Sequence, residues 1–194
     1  MVVPSSINDV CGPRDALFRW VRAEKRHISA IVDMLAEPMA ALHYFGSRMT
    51  PGAVETYLIA HWEGPFSEFF VYENAESVAV AFFKVNRLPD EAYRVVEIHG
   101  SRVSDRSAGA AFGTAKAFHE FFDLMWEHDI YKIKFPVFEQ NKKMLALAKR
   151  AGVPEEGRFV ADQLFDGTPS TVVWFGLLNP QQQAEAARDT DRNV

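Results

Sequence analysis

The chain reads Arg106-Ser107-Ala108-Gly109-Ala110-Ala111 between a predicted strand and a predicted amphipathic helix. A helix that begins in this way directs unpaired backbone N–H groups, and the positive end of its dipole, toward the loop. Gly109 and the small residues around it leave that backbone uncovered, and Arg106 adds a positive charge. The pattern predicts a phosphate or pyrophosphate site, and by itself it is more often plain helix–sheet packing.

Hydrophobic periodicity defines the elements around this loop. Tyr93–Val103 is predicted as a long strand in which Gly100 marks a bulge or a close approach. Tyr131–Val137 alternates with the two-residue period of a strand, and Asn141–Ala151 is predicted as a helix that stops at Gly152. Between them, three- and four-residue steps predict a helix whose packed face carries Phe112, Ala115, His119, Phe122 and Trp126.

The first half of the chain begins with a predicted strand, Ala16–Val21, and a helix, Glu24–Glu37. A second helical stretch, Met39–Trp62, is divided where Thr50 and Pro51 form a helix start signal. Two hairpins are also predicted, one in the middle of the chain and one at its end. They consist of Glu68–Glu73 with Ser77–Val85, and of Arg158–Phe165 with Thr171–Leu178 joined by Asp166-Gly167-Thr168-Pro169.

The resulting element order is β-α-α-β-β-β-α-β-α-β-β, which predicts one α/β domain around a central mixed sheet. A length of 194 residues suits a single domain. We assign residues 1–15 to an N-terminal arm, 16–179 to the domain and 180–194 to a polar tail outside the core.

Composition narrows the classes of partner. The 21 Lys and Arg against 26 Asp and Glu give a net charge of -5, so we do not expect nucleic acid as a partner. No apolar run approaches the roughly 18 residues of a membrane span, and the six histidines show no metal-ligand spacing, so neither membrane nor metal is expected. A single cysteine, Cys11, and the lack of a signal-like N-terminus predict a cytoplasmic protein.

The ordered elements and two motifs resemble the GNAT superfamily of acyl-CoA-dependent N-acyltransferases. The loop pattern of that family, Arg/Gln-x-x-Gly-x-Gly/Ala, is met by Arg106, Gly109 and Ala111. A second family feature, a strand followed by Asn and a short helix, is met at Asn141. The resemblance covers the element order from Ala16 to Leu178, and its motif-level support is confined to these two places.

The resemblance implies a GNAT-like fold in which the sheet splays open between Tyr93–Val103 and Tyr131–Val137. The pantetheine arm of acetyl-CoA, the implied acyl donor, would lie in that cleft, paired with the backbone of Ser101–Val103 like an added strand. One N–H there would polarise the thioester carbonyl, and the pyrophosphate would sit on the loop amides. The implied cofactor-binding residues are Ser101, Val103, Arg106, Ser107, Ala108, Gly109, Ala110, Ala111 and Asn141.

Glu97 and His99 are the candidate catalytic residues. They lie two positions apart on one predicted strand, so their side chains share a face. In the resemblance a carboxylate on this strand is the general base that removes the proton from the attacking amine, whereas the plain interpretation is a solvated sheet face. A second family group, a tyrosine that protonates the leaving thiolate, is replaced here by Ala148. The acceptor-side wall in the resemblance would include Tyr44, Tyr57 and Trp62.

The leading hypothesis is an N-acetyltransferase that transfers the acetyl group of acetyl-CoA to a small-molecule or protein amine by direct attack. The alternative is a catalytically weak or inactive module that serves as a binding or structural subunit of a larger assembly, such as a viral particle. Ala148 favours the alternative, and the intact small-residue loop with Arg106 and Gly109 favours the enzyme. A homo-oligomer or an assembly partner fits either hypothesis.

Overall fold

A computed structural model describes residues 18–62, 64–88, 94–102 and 115–182. A short 3-10 turn, Lys25–His27, precedes the first helix. The helices are α1 (Ile28–Ala36), α2 (Pro38–Phe45), α3 (Pro51–Trp62), α4 (Ala115–Glu127) and α5 (Lys142–Arg150). The strands are β1 (Phe18–Arg22), β2 (Ser67–Asn74), β3 (Ala79–Arg87), β4 (Val95–Arg102), β5 (Lys132–Phe138), β6 (Glu155–Phe165) and β7 (Thr168–Leu178).

The seven strands form one mixed sheet in the order β1-β2-β3-β4-β5-β7-β6. Neighbouring strands run antiparallel except β4 and β5, which are parallel. The chain reaches β5 from β4 through α4, the helical crossover that a parallel pair requires. The predicted α/β class with a central mixed sheet is confirmed.

The second helical stretch consists of two separate helices, so the first half of the chain holds three helices rather than two. Gly46 ends α2 because it adopts a left-handed φ of 72°, which favours glycine. The predicted start of α3 is correct: Pro51 is its first residue, and the Thr50 hydroxyl oxygen accepts a hydrogen bond from the Ala53 N–H at 3.3 Å.

The closing hairpin is tighter than predicted, and one of its strands is exposed. Asp166 and Gly167 alone form the turn, with φ values of 51° and 78°, while Thr168 and Pro169 already belong to β7. Positive φ at both positions matches a two-residue hairpin turn. Strand β6 lies at the edge of the sheet, and the large apolar side chains that stay exposed there are Phe159, Val160 and Leu164.

Two apolar cores lie on opposite faces of the sheet. On one face α4 and α5 pack on the sheet around Trp20, Phe83 and Phe118. On the other face α1 and α3 cover Val71 and Phe82. The cores explain why β2 and β3 are almost continuously buried, since both of their faces are covered by helices.

The buried face of α4 differs from the predicted one. His119 is exposed, whereas the buried positions are Phe118, Phe121, Phe122 and Met125. These residues also follow three- and four-residue steps, and the predicted face included His119 because periodicity alone fits more than one face of an aromatic-rich helix. Phe112, the first residue of the predicted face, lies outside the described residues.

The predicted domain bounds stay a prediction, because residues 1–17 and 183–194 lie outside the described part of the chain. Asn179, the last residue of the predicted domain, is buried, and its side-chain amide donates a hydrogen bond to the Ile130 carbonyl at 3.3 Å. Of the described tail residues, Pro180 and Gln181 are exposed. No helix within the described residues has the length and apolar character that crossing a membrane would require.

Candidate active site

The parallel strands β4 and β5 pair only at their starts. Their register runs from Val95 opposite Lys132 to Glu97 opposite Lys134 and stops there. Beyond this point no described strand pairs with β4 on that side, although it continues to Arg102. Pro136 stands in β5 just past the last paired residue, and a proline has no N–H to offer to a ladder. The sheet is therefore splayed open at its centre, as the resemblance implied.

Gly100 lies in β4 on the edge of this opening. A Cβ at this position would be 2.3 Å from Phe83 Cδ1 and 2.5 Å from the Phe82 carbonyl oxygen, both too close for any other residue. The β3–β4 register is unbroken here, from Ala81 opposite Arg102 to Arg87 opposite Val96. Of the two predicted reasons for this glycine, the close approach is therefore right and the bulge is wrong.

The opening forms a cleft of ≈ 560 Å³, including its mouth. Its walls come from β3, β4, β5, α2, α4 and the start of α5. The apolar lining consists of Phe83, Ile98, Phe118, Phe135, Pro136, Val137 and Met144. The polar lining consists of His43, Tyr44, His99 and Asn141. A mostly apolar slot with a few convergent polar groups is typical of a small-molecule site.

Glu97 and His99 lie side by side on one face of β4. His99 Nε2 is hydrogen-bonded to Glu97 Oε1, and both side chains are about three-quarters buried. His99 lines the cleft, whereas Glu97 lies at the closed end, where β4 still pairs with β5. A carboxylate bonded to one ring nitrogen orients the imidazole and stabilises its protonated form. The pair therefore places an imidazole, held by a carboxylate, at the cleft wall.

The implied cofactor-binding residues fall into two groups. Asn141 lines the cleft, and its side-chain oxygen accepts the Met144 N–H at 3.1 Å and so caps α5. Ser101 belongs to the splayed part of β4 and pairs with Phe82 of β3. The remaining implied residues, Val103, Arg106, Ser107, Ala108, Gly109, Ala110 and Ala111, lie outside the described residues, so the loop site stays a prediction.

A polar cluster lies behind the cleft on the same face as His99; it joins the expected acceptor-side residues Tyr44 and Tyr57 to Lys84, which sequence reasoning missed. Lys84 is only 5% exposed, and its ammonium donates a hydrogen bond to the Tyr57 hydroxyl at 3.0 Å. The Tyr57 hydroxyl in turn lies 3.4 Å from the hydroxyl of Tyr44, which lines the cleft. Burial, and next the neighbouring Tyr57, raise the pKa of Tyr44 well above its usual range. The Tyr44 hydroxyl is therefore neutral at physiological pH and keeps its proton for a hydrogen bond. A lone lysine inside the apolar run of β3 is the signal that could have pointed to this cluster.

His43 is a second cleft residue that the sequence did not single out. Its Nδ1 is buried without a hydrogen-bond partner, and burial lowers the pKa of its ring below 6.5. The effect of burial exceeds the opposing influence of Glu37. His43 is therefore neutral at pH 7, and the cleft wall contributed by α2 carries no positive charge there.

Two other expectations have clear structural outcomes. Ala148, at the position of the family tyrosine, is fully buried in the core and brings no proton donor to the cleft. Trp62 stacks on Phe69 with ring centroids 5.1 Å apart, so it belongs to the core of the α1–α3 face rather than to the cleft. Within the described ranges, no three metal-ligating side chains come together; the metal-free site stays a prediction.

Solved structures share this fold. A spermidine N-acetyltransferase from Vibrio cholerae, in complex with CoA and spermine, matches with a TM-score of 0.70 and 17% identity over 84% of this chain and 95% of that chain. A provisionally assigned phosphinothricin N-acetyltransferase matches with a TM-score of 0.67 and 19% identity over 83% of this chain and 98% of that chain. The Vibrio cholerae enzyme in complex with manganese ions matches with a TM-score of 0.67 and 16% identity over 89% and 99% of the two chains.

No family model matches the sequence, and no curated protein matches it either. The likeness is therefore one of fold, and the chain has the mixed, splayed sheet of N-acetyltransferases.

Proposed function

We propose that this protein is an acyl-CoA-dependent N-acetyltransferase of the GNAT type that transfers the acetyl group of acetyl-CoA to an amine by direct attack. The observation that carries the proposal is the cleft between β4 and β5 with the Glu97–His99 pair on its wall. The shared fold with N-acetyltransferases, one of them in complex with CoA, supports the same conclusion.

The described part of the cleft fits a pantetheine arm. Its walls are mostly apolar, and on the side away from β3 no described strand pairs with β4 from Ile98 to Arg102. That edge offers backbone N–H and C=O groups with which an extended amide chain can pair. The thioester supplies the acyl carbon: the amine nitrogen bonds to it, the C–S bond breaks, and the sulfur leaves as a thiolate. A backbone N–H of the segment Ser101–Val103 would polarise the carbonyl.

The Glu97–His99 pair has the role of base. An amine with a pKa of about 10 is protonated at pH 7, so it must lose a proton before it attacks. His99 is at the cleft wall, and Glu97 is hydrogen-bonded to it from behind. The amine proton passes to this pair, directly or through water, and the carboxylate stabilises the positive charge that forms on the ring. Ala148 leaves the thiolate without a tyrosine donor at the family position, and a thiol with a pKa near 8.5 is able to leave unprotonated.

Calorimetric titration of acetyl-CoA into the purified protein tests the donor site. We expect binding by the wild type and none by Gly109→Glu, because this variant places a side chain and a like charge where the loop amides would hold the pyrophosphate. Gly52→Glu is the matched control, since Gly52 is exposed and nothing lies within 4 Å of its added Cβ. A wild type that gives neither heat nor a thermal shift with millimolar CoA would exclude the enzyme.

The second candidate function is a binding or structural module within a larger assembly. Two observations favour it: Ala148 at the tyrosine position, and the exposed apolar side chains of Phe159, Val160 and Leu164 on the edge strand β6. An exposed edge strand is a template for pairing with another chain. A larger assembly, including a homo-oligomer, stays a proposal, and the same titration separates this module from a cofactor-binding enzyme.

A further inference from the structure

The Lys84 ammonium is buried, and the described residues give it no counter-ion. Its partners are the hydroxyl of Tyr57 at 3.0 Å and the ring of the same residue, 5.1 Å from Nζ to the centroid. No carboxylate of the described residues forms an ion pair with it. Burial of an uncompensated ammonium is costly, and proteins usually offset that cost with an anion.

Hydrogen-bond donors outnumber acceptors around this lysine. The three N–H groups of Lys84 and the O–H groups of Tyr57 and Tyr44 share the two phenolic oxygens. The Tyr44–Tyr57 oxygen distance of 3.4 Å is longer than the ~2.7–2.8 Å of a good O–H···O bond, so the hydroxyls satisfy each other poorly. Because Lys84 donates to the Tyr57 oxygen, the Tyr57 hydroxyl can donate in turn to Tyr44, and the described residues show no acceptor for the remaining hydroxyl proton, that of Tyr44 at the cleft wall.

The cluster lies beside the proposed base. Lys84 of β3 is directly opposite His99 of β4, and residues paired across antiparallel strands have Cβ atoms about 4.5–5.5 Å apart. Glu97 lies on this face of β4, and its carboxylate is hydrogen-bonded to His99. His61 faces the cluster from α3, with its Nδ1 bonded to the Tyr57 carbonyl at 2.8 Å. The part of this face around Glu97 and His99 is therefore suited to an amine, and the adjacent part around Lys84 is suited to an anion.

We propose that Tyr44, Tyr57 and Lys84 form a subsite for a carboxylate of the acceptor, so that the acceptor is a free amino acid rather than a simple amine or a polyamine. The Tyr44 hydroxyl donates to the carboxylate from the cleft wall, Tyr57 links Tyr44 to Lys84, and the Lys84 ammonium behind Tyr57 supplies the positive charge. The short separation from His99 favours an amine and a carboxylate on the same or adjacent carbon atoms. This subsite rests on the proposed N-acetyltransferase function.

Matched pairs of acceptors test the subsite. The assay measures CoA thiol release from acetyl-CoA with leucine and isoamylamine, phenylalanine and phenethylamine, methionine and 3-methylthiopropylamine, and with spermine. We expect kcat/KM to be at least tenfold higher for one or more amino acids than for the decarboxylated partner, and spermine to be a poor acceptor. In Lys84→Met the advantage of that amino acid should fall about tenfold or more, while the paired amine changes less than about threefold.

Two further variants separate charge from packing. Tyr57→Phe keeps the ring and removes the hydroxyl, so it should also lower the preference for the carboxylate, by a smaller factor. Lys25→Met, which removes an exposed lysine of the 3-10 turn, should leave both acceptors unchanged. Methionine in place of a buried ammonium is expected to be neutral or stabilising, so unfolding of Lys84→Met would itself contradict the burial argument.

The outcomes distinguish the subsite from the enzyme. If acetyl-CoA does not bind, the proposed function fails and the subsite fails with it. If acetyl-CoA binds and amines are acetylated as well as amino acids are, or Lys84→Met weakens both equally, the enzyme stands and the subsite is wrong. If no acceptor of the panel is turned over, calorimetric titration of the three amino acids into the CoA-loaded protein decides, and the absence of binding overturns the subsite.

Discussion

Gly100→Ala tests the close approach that shapes the cleft. The added methyl would lie 2.3 Å from Phe83 Cδ1 and 2.5 Å from the Phe82 carbonyl oxygen, about 1 Å inside the 3.4 Å at which ordinary contact begins. The Phe83 ring has little room to move, because it stacks on Trp20 and packs edge-on against Phe118. The Phe82 oxygen belongs to the backbone of a central strand, so it also yields only if β3 and β4 shift.

The two contributions to stability have opposite signs. Overpacking of a core costs about 1–3 kcal/mol. Replacement of a strand glycine by alanine, where the backbone allows it, contributes about 0.4–1 kcal/mol in the favourable direction through the unfolded chain. We therefore expect a net loss of about 1–2 kcal/mol, which lowers Tm by roughly 2–8 °C for a domain of this size. Urea unfolding and calorimetry measure both quantities.

Gly52→Ala is the matched control, since Gly52 lies in α3 and its added Cβ meets nothing within 4 Å. This variant should be more stable than the wild type by about 0.5–1 kcal/mol, because alanine is the better helix former. In a Phe83→Ala background the loss from Gly100→Ala should shrink, because only the Phe82 carbonyl contact remains. If Gly100→Ala is as stable as Gly52→Ala, the close approach does not constrain the sheet and the reasoning is refuted.

Three other measurements follow from the same structure. Burial lowers the pKa of His27, His43 and His128 in the folded protein, so as pH falls these histidines take up protons in the unfolded chain before they do so in the folded one. Stability should therefore be lost as pH falls below about 6.5, and equal Tm values at pH 7.5 and 5.5 would contradict this. Glu73→Gln should cost about 2–3 kcal/mol in urea unfolding, since this fully buried carboxylate binds Arg19 at 2.9 Å, whereas Glu155→Gln on the exposed edge should change little. Glu97→Gln should flatten the acidic limb of the rate against pH while acetyl-CoA affinity stays the same, and equal turnover of variant and wild type across that range would remove Glu97 from the mechanism.

The elements that the sequence predicts well are those with local causes. Thr50 and Pro51 start α3 through their own side chains, and Asn141 caps α5 in the same way. The alternation in Tyr131–Val137 marks a strand because the period belongs to the backbone. The sequence shows that Gly100 is unusual in a strand, but the Phe83 ring that leaves no room for a side chain there belongs to the neighbouring strand.

Features set by tertiary neighbours were missed. The apolar residues of β6 have the composition of a core strand, and their exposure follows from the place of β6 at the sheet edge, which no local pattern encodes. His119 was assigned to the wrong face of α4 for a related reason, since the direction of the sheet decides which aromatic stripe is buried. Tyr44 and Tyr57 were expected on the acceptor side, whereas Lys84 was missed, because this residue of β3 meets the two tyrosines of α2 and α3 only in the folded chain.

The two halves of the proposed reaction depend on different parts of the molecule. The described part of the proposed donor side is backbone: a β4 edge with which no described strand pairs beyond Glu97, and which requires no particular side chains. This is consistent with a shared fold at only 17% identity. The acceptor side is made of side chains from α2, α3 and β3, which can change without disturbing the sheet. The fold of the neighbours therefore carries no information about the acceptor of this chain, and the proposal of a carboxylate on that acceptor rests on Lys84 and its tyrosines.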